Sequence, residues 1–208
     1  MRIKQLFEDD NNKHVTFCFG RFNPPTLGHK QVFDTMKEVG GDMQIFTTLS
    51  HDRKKNPLEY NTKIEFLKKM FPRYSEFVMN APTLNTIMKI ASYLYDQGYR
   101  HATFVSGSDR MEGFKDLLNT YNGVEGKSHG YYKFETLDFV SSGQREDGGE
   151  GLAGISATAA RSAAEDNDLA AFAKATGAGE NIEDLFHAVR KGMGIEDEKD
   201  SEEEDENK

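Results

Sequence analysis

The stretch Phe19-Gly20-Arg21-Phe22-Asn23-Pro24-Pro25-Thr26-Leu27-Gly28-His29 constrains the fold of this chain more than any other. Before it, Val15 to Phe19 is a run of β-branched and aromatic residues with the composition of a strand buried on both faces. After it, Val32, Phe33, Met36 and Val39 recur three and four apart, the period of a helix that buries one face. The stretch is therefore read as a strand-to-helix connection. Pro24 and Pro25 fix φ and keep the residues before them out of the α region, while Gly20 and Gly28 let a ligand approach the backbone. A helix beginning near His29 aims unpaired N–H groups and about half a positive charge into the turn. That geometry suits a phosphate; a plain Gly- and Pro-rich turn is the alternative reading.

The rest of the chain repeats the strand-helix rhythm. Met43 to Leu49 reads as a second strand, Glu76 to Asn80 as a short third, Ala102 to Val105 as a fourth and Tyr131 to Val140 as a fifth. Between them, Lys63 to Phe71, Thr83 to Gln97 and Met111 to Tyr121 carry helical spacing, with Pro72 and Gly98 as stop signals. This alternation implies right-handed crossovers and a Rossmann-like α/β fold: a mainly parallel five-stranded sheet with helices on both faces and a C-terminal helical extension. The expected organisation is a leader over 1–13, one domain over 14–165, helices packing on it over 166–194 and an acidic, disordered tail over 195–208.

Three further places carry chemistry. After the second strand, His51, Arg53, Lys54 and Lys55 precede Asn56-Pro57, and Lys63 follows; Lys54, Lys55 and Lys63 are candidates for holding a substrate phosphate, a solvated basic loop being the alternative. The fourth strand ends in Gly107-Ser108-Asp109 before a helix, where Asp109 caps the helix or accepts from a ribose or base. Ile155-Ser156-Ala157-Thr158-Ala159-Ala160-Arg161 begins another helix, with Ser156 as N-cap, hydroxyls at Ser156 and Thr158 for phosphate oxygens, and the Arg161 guanidinium facing the helix start. The segment before it, 141–154, has five glycines and three acidic residues and is expected to be a mobile loop, with the sequence leaving open whether it closes as a lid. Gly123 to Ser128 superficially matches a P-loop but has two residues between its glycines where four are needed, so it reads as a surface turn.

Composition excludes several classes. The single cysteine, Cys18, lies in the first apolar strand, so neither an intrachain disulfide nor a multi-cysteine metal site is available. The net charge of −9 is mostly local: residues 195–208 hold nine acidic side chains and two lysines, which leaves −2 for the rest. A nearly neutral folded part without a basic stripe argues against nucleic acid as a partner. No apolar run approaches the ~20 residues of a membrane span, and the first residues lack the apolar core of a secretory signal, so no membrane partner and a cytoplasmic location are expected. Self-association into a homo-oligomer is compatible with this composition.

Taken together, Gly-Arg-Phe-Asn-Pro-Pro-Thr-Leu-Gly-His and Ile-Ser-Ala-Thr-Ala-Ala-Arg resemble the two signatures of the nucleotidyltransferase α/β-phosphodiesterase superfamily, in the right order. The resemblance implies that a phosphomonoester attacks the α-phosphorus of ATP or CTP in line and displaces pyrophosphate, with Mg²⁺ carried mainly by the triphosphate and no resident metal site. By position, His29 would contact the α-phosphate, and Thr26, where many members have a second histidine, would hydrogen-bond. Gly20, Arg21, Phe22, Asn23, Gly28, Gly107, Ser108 and Asp109 would line the nucleotide. Ile155, Ser156, Thr158 and Arg161 would hold the β- and γ-phosphates.

Arg21, Asn56-Pro57-Leu58 and Lys63 look like the pattern of archaeal-type nicotinamide mononucleotide adenylyltransferases, with lysine at 63 replacing arginine. Leu152-Ala153 stand where cytidylyltransferases usually carry arginine and threonine, so the resemblance favours ATP over CTP and nicotinamide mononucleotide as the acceptor. Leu6-Phe7-Glu8 is similar to the end of head-targeting peptides of tailed-phage internal proteins, which would make the chain phage-encoded, in the host cytoplasm or packaged in the phage head. A non-catalytic nucleotide-binding protein is the rival reading.

Overall fold

The computed structural model describes residues 13–143 and 155–195. The leader to residue 12, the glycine loop from 144 to 154 and the acidic tail from 196 lie outside the described residues. Four strands form one parallel sheet: β1 His14–Gly20, β2 Asp42–Thr47, β3 His101–Ser106 and β4 Thr136–Ser141, in the order β2-β1-β3-β4. Helix α1 (Leu27–Val39) joins β1 to β2, helices α2 (Tyr60–Met70) and α3 (Ile87–Asp96) lie between β2 and β3, and α4 (Ser108–Tyr121) joins β3 to β4. Three helices follow: α5 Ala157–Glu165, α6 Leu169–Thr176 and α7 Ile182–Met193. The architecture is the Rossmann-like α/β type, and strand order reverses between β1 and β3, the switch point at which such sheets bind ligands.

The sheet has four strands rather than five. The expected strand at Glu76 to Asn80 is replaced by a 3₁₀ turn over Pro72–Phe77 and a single parallel bridge between Val78 and Ile45. Pro72 starts the turn, and only Val78 of the segment is buried, so the segment joins the sheet edge through this one bridge, Met79 N–H donating to the Ile45 carbonyl at 2.9 Å. The last strand is also shorter than expected. Tyr131 to Glu135 do not pair in the sheet: the Asn122 side chain accepts from Phe134 N–H (2.9 Å) and donates to its carbonyl (3.2 Å), and the Tyr132 hydroxyl donates to the Leu118 carbonyl (2.9 Å). The P-loop-like stretch is a turn, with Gly123 at φ +82° just after α4.

By their contacts, residues 13–20, 31–48 and 77–143 make one compact unit, and 21–30, 49–76 and 155–195 make another. The first is built around the central strands β1 and β3, whose Val15 to Cys18 and Ala102 to Ser106 are all buried. Phe104 packs against Phe17 and Phe114 at ring separations of 5.3 and 5.2 Å. Burial pushes the Cys18 thiol far above its ordinary pKa, the state of an inert core thiol.

The second unit is helical. Leu58 and Phe66 of the α2 region pack with Ala160, Ala163 and Ala164 of α5, Phe172 and Ala175 of α6, and Leu185, Phe186 and Val189 of α7. The alanines of α5 allow close helix approach, and Phe172 meets Phe186 edge-on at 5.1 Å. Arg190 of α7 closes the end of α5 by donating to the Ala164 carbonyl at 2.7 Å. Gly177 ends α6 at φ +70°, and a Cβ there would strike Leu27 at 2.4 Å, so glycine is required twice over.

Two glycines separate helix propensity from packing. A Cβ on Gly113, exposed in α4, would meet nothing within 4 Å, whereas one on Gly192 in α7 would stand 2.0 Å from the Pro57 carbonyl oxygen. Gly113→Ala is expected to raise unfolding free energy by about 0.5–1 kcal/mol. Gly192→Ala is expected to lower it by about 1–3 kcal/mol, because α7 must shift off Pro57. Urea unfolding of the two variants against the parent checks both signs.

Candidate active site

The turn after β1 is shaped by its own sequence. Phe22 sits at φ +46°, a left-handed conformation costing about 1–3 kcal/mol for a bulky residue, and its buried ring lies 4.9 Å from the His29 ring, edge-on. The Asn23–Pro24 peptide is cis. α1 starts at Leu27, two residues before the expected position, because the Thr26 carbonyl already accepts from His29 N–H (2.9 Å) and Lys30 N–H (3.3 Å). His29 thus lies in the first turn of the helix, where the dipole is strongest.

The His29 ring is set by its neighbour. Thr26 N–H donates to His29 Nδ1 at 3.0 Å, and the Thr26 hydroxyl lies 3.0 Å from the same nitrogen. A backbone N–H can only donate, so Nδ1 is the acceptor and the neutral ring carries its proton on Nε2, as a donor for a phosphate oxygen requires. Thr26 is 1% exposed, and both its N–H and its hydroxyl address this ring. Its geometry is that of a residue that orients His29.

The second motif arrives at the same turn. Ser156 is the N-cap of α5, its side chain accepting from Ala159 N–H at 3.0 Å. One turn on, Arg161 donates from one nitrogen to the Asn23 carbonyl at 2.8 Å and from another to the Thr158 hydroxyl at 3.2 Å. A Cβ on Gly28 would lie 3.6 Å from Thr26 Oγ1 and 3.9 Å from the Ile155 carbonyl, so the two motifs are neighbours across this glycine. Burial, and then the Arg21 guanidinium, hold the Arg161 pKa below its ordinary value, against the opposing pull of Asp52. Two guanidinium groups that disfavour each other's charge make a place that gains from a bound anion.

With the fold and this geometry in view, one comparison is decisive: residues 17–142, well over half of the chain, match the cytidylyltransferase-like family. The chain belongs to that family. Cytidylyltransferase-like proteins are part of the nucleotidyltransferase α/β-phosphodiesterase superfamily, so nucleotidyl transfer is the general activity and a nucleoside triphosphate a substrate. No match was found among curated proteins. The family match ends before Ile155, so the second motif is placed by the structure alone.

The remaining candidates fall in several places. Gly20 closes β1, and its carbonyl accepts from Thr48 N–H at 3.0 Å. Gly107 is the N-cap of α4; Asp109 lies in the first turn of that helix and does not cap it. Asp109 and Ser108 belong to the unit of the sheet, whereas residues 21–30 and 155–161 belong to the helical unit. Lys54 and Lys55 are exposed on a tight turn closed between Asp52 and Asn56. Asp52 accepts from Lys54 N–H (3.0 Å) and Lys55 N–H (2.7 Å), pairs its backbone with that of Asn56, and takes a bond from the Asn56 side chain. These bonds, led by that from Lys55 N–H, hold the Asp52 carboxyl down at about 2. The signal that could have found the turn is an aspartate two and three residues before Lys54 and Lys55, the Asx-turn spacing.

Lys63 stands apart from these exposed cations. It is wholly buried on the first turns of α2, and its ammonium donates inward to the Ser50 carbonyl at 3.2 Å. It braces the start of the basic loop from beneath. Burial lowers its pKa from 10.5 to about 8. The unfolded chain therefore binds more protons at Lys63 between about pH 8 and 10.5, so this residue's contribution to stability rises with pH across that window and its burial penalty is full below it, while the raised Cys18 thiol pulls the other way above about pH 9. The rise is expected to be at most about 3 kcal/mol. Lys63→Met should flatten this slope, which denaturant titrations at about pH 7.5 and 9.5 measure directly.

Among the described residues, no group of three or more His, Cys, Asp or Glu side chains is placed to hold a metal ion. No helix there is long and apolar enough to cross a membrane.

Proposed function

We propose that this cytidylyltransferase-like chain transfers AMP from ATP to a phosphomonoester, nicotinamide mononucleotide being the first acceptor to test. The observation that carries the reading is the Arg161 bond to the Asn23 carbonyl, which sets the guanidinium of the second motif on the turn that holds His29. A triphosphate laid between them has its reacting phosphorus at His29 and its β- and γ-phosphates at Arg161, Thr158 and the N-terminus of α5. His29 Nε2–H donates to the non-bridging oxygens as charge develops in the transition state, and Arg161 neutralises the departing pyrophosphate. The acceptor's phosphate is itself the nucleophile, so the chemistry needs placement and fixed dipoles more than a general base.

The side chains of the grip are hydroxyls, an imidazole and guanidinium groups, a donor set unsuited to holding Mg²⁺. Mg²⁺ would instead enter on the triphosphate oxygens, lowering the charge that the grip must neutralise. The preference for ATP rests on Arg21 and Asn56-Pro57-Leu58 and on the absence of arginine and threonine before the second motif.

A pyrophosphate-release screen of ATP and CTP against a panel of phosphomonoesters with Mg²⁺ tests the reading. Release is expected with ATP and a phosphomonoester together; turnover with CTP alone would move the assignment to cytidylyl transfer. His29→Ala is expected to lose roughly 10²- to 10³-fold in rate, the usual effect of removing one transition-state donor. Parental rates in that variant would remove His29 from the mechanism. Tight ATP binding without turnover on any acceptor would favour a non-catalytic nucleotide-binding protein.

A further inference from the structure

Asn23 lies in a motif whose residues are expected to line the nucleotide, but its side chain is 2% exposed and fully engaged elsewhere. Its Oδ1 accepts from Leu58 N–H at 2.8 Å and its Nδ2 donates to the Leu58 carbonyl at 2.9 Å, so the amide grips that backbone as a neighbouring strand would. Its own carbonyl holds Arg161 at 2.8 Å. Leu58 follows Asn56-Pro57, which closes the turn that presents Arg53, Lys54 and Lys55 to solvent. Asn23 therefore stands between the guanidinium assigned to the triphosphate and the loop whose exposed cations face solvent.

We propose that Asn23 is a positioning residue for the acceptor: its amide fixes the 53–58 loop in register with Arg161, so that an acceptor phosphate held by the loop's cations lies in line with the α-phosphorus. The inference rests on the nucleotidyltransferase reading above. In-line transfer tolerates little displacement, and a misplacement of about 1 Å costs on the order of 10² in rate. The same clamp occurs at Asn122, which grips Phe134 in the unit of the sheet and serves no site described above. Asn122 is thus an internal control for a clamp whose only effect is on stability.

The test compares Asn23→Asp, Asn23→Gln and Asn122→Asp with the full-length parent. Steady-state constants are measured per folded molecule for ATP and for the phosphomonoester returned by the screen, nicotinamide mononucleotide being tried first. The carboxyl group introduced by Asn23→Asp accepts from Leu58 N–H when ionised but repels the Leu58 carbonyl, whereas its protonated form restores the donor. Asn23→Asp is therefore expected to lose about 10²-fold in acceptor kcat/KM at about pH 8, with the ATP KM within about threefold of the parent. Asn23→Gln keeps both hydrogen-bonding groups on a longer arm, so it should fold and still lose about tenfold or more in acceptor kcat/KM. Asn122→Asp should lower stability and leave all constants unchanged.

If both Asn23 variants keep parental constants, as Asn122→Asp does, the positioning role is overturned while the function stands. A parent that is silent on every acceptor overturns the reading of function and this role with it.

Discussion

The hydrogen bond from Arg161 to the Asn23 carbonyl joins residues 138 apart in sequence. Neither partner makes a site alone. The turn at 19–29 offers His29 and a helix N-terminus but little net charge, and the N-terminus of α5 offers hydroxyls and a guanidinium with nothing to react. On the proposed reading, the two together would give a polyphosphate both a place to be held and a donor at the phosphorus that reacts. The bond also holds the guanidinium in place before any ligand arrives, so less side-chain freedom is lost on binding. Around it, Thr26 orients His29, Asn23 grips Leu58, Lys63 braces Ser50 and α7 backs Pro57 through Gly192.

This arrangement explains the residue types in the turn. Phe22 adopts a left-handed backbone that sets its ring against His29. Asn at 23 supplies one donor and one acceptor in a plane, the only side-chain group besides glutamine that matches a peptide unit. Arginine at 161 reaches two acceptors at once, the Asn23 carbonyl and the Thr158 hydroxyl, which a lysine would address only as a point charge.

Much of this is legible in the sequence, for identifiable reasons. β1 and β3 are continuous apolar runs because they are central strands, and α3 shows its period because one face is buried. Ser156 is readable as an N-cap because local hydrogen bonding decides it. What is not legible depends on contacts remote in sequence. The apparent strand at Glu76 to Asn80 has the right composition, but one residue pairs with the edge of β2, and nothing local reveals that. Tyr131 to Glu135 alternate like a strand yet are captured by Asn122 and Leu118. Lys63 looks like a surface cation because lysines usually are; its burial follows from the packing of α2. Asn23 looks like a ligand residue because it lies in a ligand motif, and its engagement with Leu58 is visible only in three dimensions.

The central claim is that the two motifs grip one triphosphate, and the most direct measurement is calorimetric titration of ATP and AMP into the parent and into Arg161→Met. If Arg161 holds the β- and γ-phosphates, the variant should bind ATP at least about tenfold more weakly, the worth of a charge-assisted contact, while AMP affinity stays within about twofold. An ATP affinity equal to the parent's would contradict the account, because the second motif would then have no part in holding the nucleotide.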